Sequence, residues 1–181
     1  MPSAAFHLVE YGPVILTKDE ILLEIRKKRI KLRPFDPAAV GPASVDLTLD
    51  RKIRVFRPRN ISFSIDKNID YKKITVIVDI AKGYVLEPGE LVLGITKETV
   101  TLPDDICGWL NSRSSFARIG LMSHVTAPFV CPGVSNRQVL EIYNAGPEKI
   151  RLVPGARICQ LILQQCRGTA RYEGKFKRQQ L

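Results

Sequence analysis

The sequence predicts an all-β domain, a sandwich or barrel of short strands, with one short helix near the N-terminus. Three observations point there. Apolar residues alternate at Val45, Leu47 and Leu49 and again at Ile74, Val76, Val78 and Ile80, the period of two expected of a strand with one buried face. Three Pro-Gly pairs, Pro88-Gly89, Pro132-Gly133 and Pro154-Gly155, lead into the apolar runs LVLGI, QVLEIY and ICQLIL. Apolar residues make up 45% of the chain but aromatics only 7%, which suits a core of small branched side chains.

Taken in order, residues 1–16 form an apolar-leaning lead-in containing Gly12-Pro13. Thr17-Lys18-Asp19-Glu20 has the form of a capping box, and the stretch Glu20 to Lys28 sets Ile21, Leu22 and Ile25 on one helical face. The helix ends in a basic cluster, as the negative end of its dipole favours, and Pro34, Pro37 and Pro42 then break the chain. Strands are expected from Ser44 onward, through Ile53 and Val55, with the polar stretch 57–72 as a surface excursion. LEPGELVLGI and LVPGARICQLIL repeat one turn-plus-strand design. Gly168 to Leu181 is polar and basic, a tail expected to be disordered unless something binds it.

A length of 181 residues fits one domain, 1–181, whose last segment, 168–181, is that tail. The net charge of +10 favours polyanionic partners such as nucleotides. One Trp, five Tyr and seven Phe offer few stacking platforms, so nucleic acid is an unlikely partner. No apolar run reaches the roughly 18–20 residues of a membrane span, and the opening MPSAAFHLVEYGP lacks the marks of a secretory signal. A cytoplasmic location is therefore expected. Cys107, Cys131, Cys159 and Cys166 form no CxxC pair, and only His7 and His124 could add imidazole ligands. Reduced, mostly buried thiols and no metal site are the expectation.

The densest chemistry lies in GWLNSRSSFARIGLMSHVTAPFVCPGVSNRQVLEIYN, residues 108–144. Arg113, Ser114, Ser115 and Arg118 place two guanidinium forks and two hydroxyls close together, a pattern that suits phosphate oxygens. Alone, RSSFAR equally fits a short surface helix with solvated arginines. Glu141 shares a strand face with Val139 and Tyr143, while Leu140 and Ile142 face the other way. Such a carboxylate is either solvated or held in a largely apolar pocket, where it could take a proton and return it.

RSSFARIGLMSHVTA, then PG, then VLEIYN resembles the core of the dCTP deaminases. The likeness extends through LEPGELVLGITKETVTLPDDICGWL, SVDLTLD and the tail YEGKFKRQQ, and is weakest over the opening dozen residues and 57–72. It implies a distorted jelly-roll, the β-clip barrel of the dUTPase type, and a homotrimer with active sites between subunits. It implies that Glu141 is the proton shuttle. A water held by Ser114, Arg118 and the Ala127 carbonyl would attack C4 of cytosine, giving dUTP and ammonia without zinc. The segment Arg113, Ser114, Ser115, Phe116, Ala117 and Arg118 would hold the triphosphate. The backbone of Val139, Leu140 and Glu141 would read the pyrimidine, and Gln160, Tyr172, Lys175 and Gln179 would close over the phosphates. No cofactor is expected on protein side chains; Mg²⁺ would accompany the triphosphate.

Departures from the pattern accompany the likeness. Cys131, in VCPG, stands where relatives carry an aspartate that activates water in dUTPases and bonds the deoxyribose 3′-hydroxyl in deaminases. A thiol is a poor substitute in either role, which makes a second activity on dUTP less expected and implies weaker or rearranged sugar recognition. Pro128-Phe129 and Val134 alter a loop through which dTTP inhibits some relatives, so dTTP as an inhibitor is left open by the resemblance. His124 is expected to pack locally. The competing readings are a dUTPase or a bifunctional deaminase–dUTPase, and a non-catalytic nucleotide- or nucleic-acid-binding trimer.

Overall fold

The computed structural model describes residues 14–57, 60, 62–64, 70–177 and 179–181. Most of the lead-in with Gly12-Pro13, and half of the 57–72 stretch, lie outside the described residues. Helix α1 spans Lys18–Arg26, buries Ile21 and packs Leu22 and Ile25 against the core. Thr17 is its N-cap, yet the Thr17 hydroxyl makes no capping bond. The expected capping box is not formed: the Pro42 carbonyl accepts from Lys18 N at 2.8 Å, so a neighbouring loop satisfies the first turn.

The strands follow in chain order: β1 (Lys31–Arg33), β2 (Val45–Thr48), β3 (Lys52–Phe56), β4 (Thr75–Asp79), β5 (Tyr84–Leu86), β6 (Leu91–Thr101) and β7 (Ile106–Ser112). A one-turn helix, α2 (Ser114–Ala117), precedes β8 (Leu121–Met122), β9 (Phe129–Val130), β10 (Ser135–Asn144), β11 (Ile150–Leu152) and β12 (Arg157–Gln165). One sheet runs β4-β3-β6-β10-β8 with β1 also on β6; a second runs β2-β12-β7-β9; β5 and β11 pair separately. All pairings are antiparallel. The expected all-β architecture is present as open sheets around one core, not as a closed barrel.

The core runs from Leu16 to Leu163 and draws on both larger sheets, with Val92, Leu140 and Ile142 from one and Leu47, Leu161 and Leu163 from the other. Burying each such side chain contributes about 1.5–3 kcal/mol. Gly94 permits the close approach: a Cβ there would lie 2.6 Å from Ile142 Cδ1 and 3.0 Å from Leu49 Cδ1. Among the described residues no helix is long and apolar enough to cross a membrane.

The tail departs from the expectation of disorder. Ala170 N donates to the Asp104 carbonyl at 2.8 Å, and Tyr172 N to the Pro132 carbonyl at 3.0 Å. Arg171 pairs with Asp104. The hydrogen-bonding groups of this segment find partners on the chain's own body, which offsets the cost of ordering it.

Candidate active site

Strand β10 positions the site. Its register against β6 sets Glu141 opposite Leu93 and Tyr143 opposite Leu91. As the alternation predicts, Leu140 and Ile142 are fully buried in the core while Val139, Glu141 and Tyr143 line a cavity of about 730 Å³. A bulge lies between Arg137 and Val139, and Asn136 and Gln138, although in the buried phase of Leu140 and Ile142, also reach the same cavity.

The opposite wall is the segment 123–128. Ser123 N donates to Ser112 Oγ at 2.9 Å, and Leu110 N donates to the Pro128 carbonyl at 2.8 Å, so β7 fixes both ends. Between them Thr126 meets Glu141. Thr126 N donates to Glu141 Oε2 at 2.7 Å, and Thr126 Oγ1 lies 3.0 and 3.1 Å from the two carboxylate oxygens. Val125 N adds a longer bond of 3.3 Å. His124 Nδ1 accepts from Glu141 N at 3.3 Å, and its Nε2 is buried without a partner. His124 packs locally, as expected, but against Glu141 itself.

The cavity is mainly apolar, with Phe56, Leu91, Leu93 and Val134 in its walls. Glu141 is its only carboxylate among the described residues, and no Lys or Arg lines it. The carboxylate's own contacts are polar, so the sequence-based picture of an apolar pocket holds for the cavity and not for the group within it. Ala127 and Cys131 line the same space, as do Tyr172 and Gln179 from the tail. Lys175 does not; it is exposed, with its ammonium 5.9 Å from the centre of the Phe176 ring.

Neither residues 113–118 nor Gln160 enter this cavity within one chain. Arg113 precedes α2, which leaves β7 in the other sheet; its guanidinium lies 3.5 Å from Asp46 Oδ2 and donates to the Arg157 carbonyl at 3.2 Å. Ser114, Ser115, Ala117 and Arg118 are exposed, while Phe116 packs against the core. Gln160 sits in β12 opposite Asp46 and Asn111. Asp46 and Arg157 border a second cavity of about 390 Å³. The sequence pointed to one cluster; a single chain holds it as two.

All four cysteines are free thiols. Burial, then contact with Cys166, pushes the Cys107 thiol up to about 11, and burial pushes Cys159 up as well. Neither is an activated nucleophile. Among the described residues no group of three His, Cys, Asp or Glu side chains could hold a metal ion.

Sequence reasoning passed over Thr126, Asn136 and Gln138. Thr126 stands beside Ala127 in the HVTA string and could have been found there. Asn136 and Gln138 fall in phase with Leu140 and Ile142, and amides at core-phase positions signal a dedicated bonding network.

Residues 15–166 match the family model described as dCTP deaminase-like. A "dCTP deaminase, dUMP-forming" of Mycolicibacterium smegmatis is 44% identical over 152 residues, 83% of this chain and 80% of that protein. One of the same name from Nocardioides sp. is 38% identical over 175 residues, covering 92% and 91%. The crystal structure of 2′-deoxycytidine 5′-triphosphate deaminase from Agrobacterium tumefaciens superposes with a TM-score of 0.68 at 24% identity. The match covers 86% of this chain but only about half (49%) of that longer one, and shows the shared fold. With the family model spanning all twelve strands, the chain belongs to the dCTP deaminase-like family.

Proposed function

We propose that the protein hydrolytically deaminates dCTP at C4 of the cytosine ring, with Glu141 as the proton carrier. One observation supports this above the others: Glu141, the only carboxylate in the cavity among the described residues, is held by Thr126 and faces a mainly apolar space large enough for a nucleoside. A water bound beside the Ala127 carbonyl gives a proton to Glu141 as its oxygen attacks C4. Glu141 returns that proton to the ring nitrogen, then carries the proton of the new C4 hydroxyl to the amine, which leaves as ammonia as the C4–N bond breaks and the C4 carbonyl forms. The net reaction adds water and releases ammonia.

The triphosphate needs cations, and the Glu141 cavity has none in its described walls. We assign that role to Arg113 and Arg118, with Ser114 and Ser115, contributed by a second copy of the chain in a homotrimer. Exposed apolar side chains support such an assembly: Trp109, Val125 and Phe129 are 40–46% exposed, with the Trp109 and Phe129 rings 4.9 Å apart. Mg²⁺ would arrive with the triphosphate.

The released product is dUTP in this reading. Cleaving the phosphate chain needs a second activated water, and Cys131 offers no carboxylate to activate it. A second reading, release of dUMP and pyrophosphate, is favoured by the names of the relatives. Incubating the protein with dCTP, CTP, dCMP and dUTP side by side, with ammonia and pyrophosphate measured separately, decides the matter. Ammonia from dCTP alone supports the first reading; pyrophosphate in equal amount selects the second; no ammonia from any substrate overturns both.

A further inference from the structure

Asn136 and Gln138 occupy core-phase positions on β10, 7% and 6% exposed, where Leu140 and Ile142 are 0% exposed. A buried amide destabilises the fold unless its hydrogen bonds are met. Here the two amides meet each other. Gln138 Nε2 donates to Asn136 Oδ1 at 2.7 Å, and Gln138 N donates to Thr96 Oγ1 at 2.9 Å. These bonds orient the Asn136 carboxamide, whose Nδ2 donates to the Phe176 carbonyl at 2.9 Å. Gln179 Nε2 donates to the Arg137 carbonyl at 2.9 Å from the tail side. Asn136 and Arg137, at the bulge, thus bind the tail directly, Gln138 braces Asn136, and Glu141 of the same strand lines the cavity.

We propose that the Asn136–Gln138 amide pair is a catch that holds the C-terminal tail shut over the Glu141 cavity and thereby positions bound nucleotide. The catch reads a main-chain carbonyl, so it fixes where the tail sits without reading the Phe176 side chain. Tyr172, Phe176 and Gln179 form part of the cavity wall only while the tail lies in this place. The two amides are positioning residues: they act through the tail and not on the reacting atoms. This role rests on the dCTP reading above.

The test uses Asn136→Asp, which keeps the shape and removes the donor, and Gln138→Met, which removes the bond that orients Asn136. Two quantities are read: the rate at which trypsin cuts at Lys175 and Lys177 with no nucleotide added, and KM and kcat for dCTP. Loss of one buried hydrogen bond is expected to raise the cutting rate and the dCTP KM by roughly tenfold each, with kcat falling by a smaller factor. Thermal unfolding of each variant confirms that it folds. Faster cutting with an unchanged KM overturns the positioning role, and unchanged cutting overturns the catch itself. Faster cutting in a protein that never releases ammonia from dCTP would leave the catch standing and defeat the substrate assignment instead.

Discussion

Thr126 holds the Glu141 carboxylate twice, through its backbone N–H at 2.7 Å and through its hydroxyl at 3.0 Å from the same oxygen. The N–H contact survives any substitution that preserves the loop, whereas the hydroxyl contact belongs to the side chain. Thr126→Val should therefore lower kcat for ammonia release by about three- to tenfold, the value of one modest hydrogen bond. Thr126→Ser should restore most of it. Glu141→Gln should keep nucleotide binding and lose about 10²–10⁴ in kcat, because an amide cannot shuttle a proton. Near-normal ammonia release by Glu141→Gln would end the assignment.

Cys131 lines the cavity that holds Glu141. Cys131→Asp would install an acceptor for the sugar 3′-hydroxyl, with a charged hydrogen bond worth about 1.5–3 kcal/mol. The dCTP KM should fall by roughly tenfold or more, while KM for the 3′-deoxy analogue should not improve. Equal effects on both nucleotides would remove residue 131 from sugar recognition.

On β10 the strand pattern is legible in the sequence because burial enforces it; on β4 the expected buried face fails, with Val76 exposed and Val78 only half-buried. The alternation of Val139, Leu140, Glu141 and Ile142 alone separates the core face of β10 from its site face, and the burial of Leu140 and Ile142 follows it. The bulge at Arg137 is not legible, since it depends on how Thr96, Lys97 and Glu98 of β6 are accommodated opposite Gln138. Nor is the helix start legible: the Thr17 hydroxyl makes no capping bond, and the carbonyl of Pro42, distant in sequence, takes the Lys18 N–H. The order of the tail is hidden because its polar composition conceals main-chain partners at Asp104 and Pro132. Local signals pass through to structure where burial decides, and fail where a distant backbone group intervenes.

Gly120 closes the turn between α2 and β8 with φ +84°, and a Cβ there would stand 2.3 Å from Gly146 N and 2.4 Å from Gly146 Cα. Both atoms are main chain and cannot swing aside. Gly120→Ala should cost on the order of 3 kcal/mol in urea unfolding, combining left-handed strain with overpacking. Gly155 has a similar φ of +87° but open space around it. Gly155→Ala should cost only about 1–2 kcal/mol. Equal losses would mean that backbone conformation alone, and not the contact with Gly146, sets the requirement.

Tyr84 joins β5 to the turn before β6, its hydroxyl donating to Glu90 Oε1 at 2.5 Å. Burial first, and then this bond to a carboxylate, push the phenol from 10.0 up to about 12. In the unfolded chain the phenol ionises near pH 10, while the folded chain keeps its proton until about pH 12. Across that window the native state binds more protons than the unfolded state, so stability falls as pH rises. Below pH 10 the contribution is fully present. The buried thiols add an earlier fall that begins near their ordinary value of 9.0; the share of Cys107 ends near its folded value of about 11, and that of the more deeply buried Cys159 continues past it. Thermal midpoints measured from pH 7 to pH 12 should therefore decline in two overlapping stages. Tyr84→Phe should lower stability by about 1 kcal/mol at pH 7 and flatten the upper stage while leaving the lower one in place. An upper stage as steep in Tyr84→Phe as in the parent would assign the alkaline loss to another group.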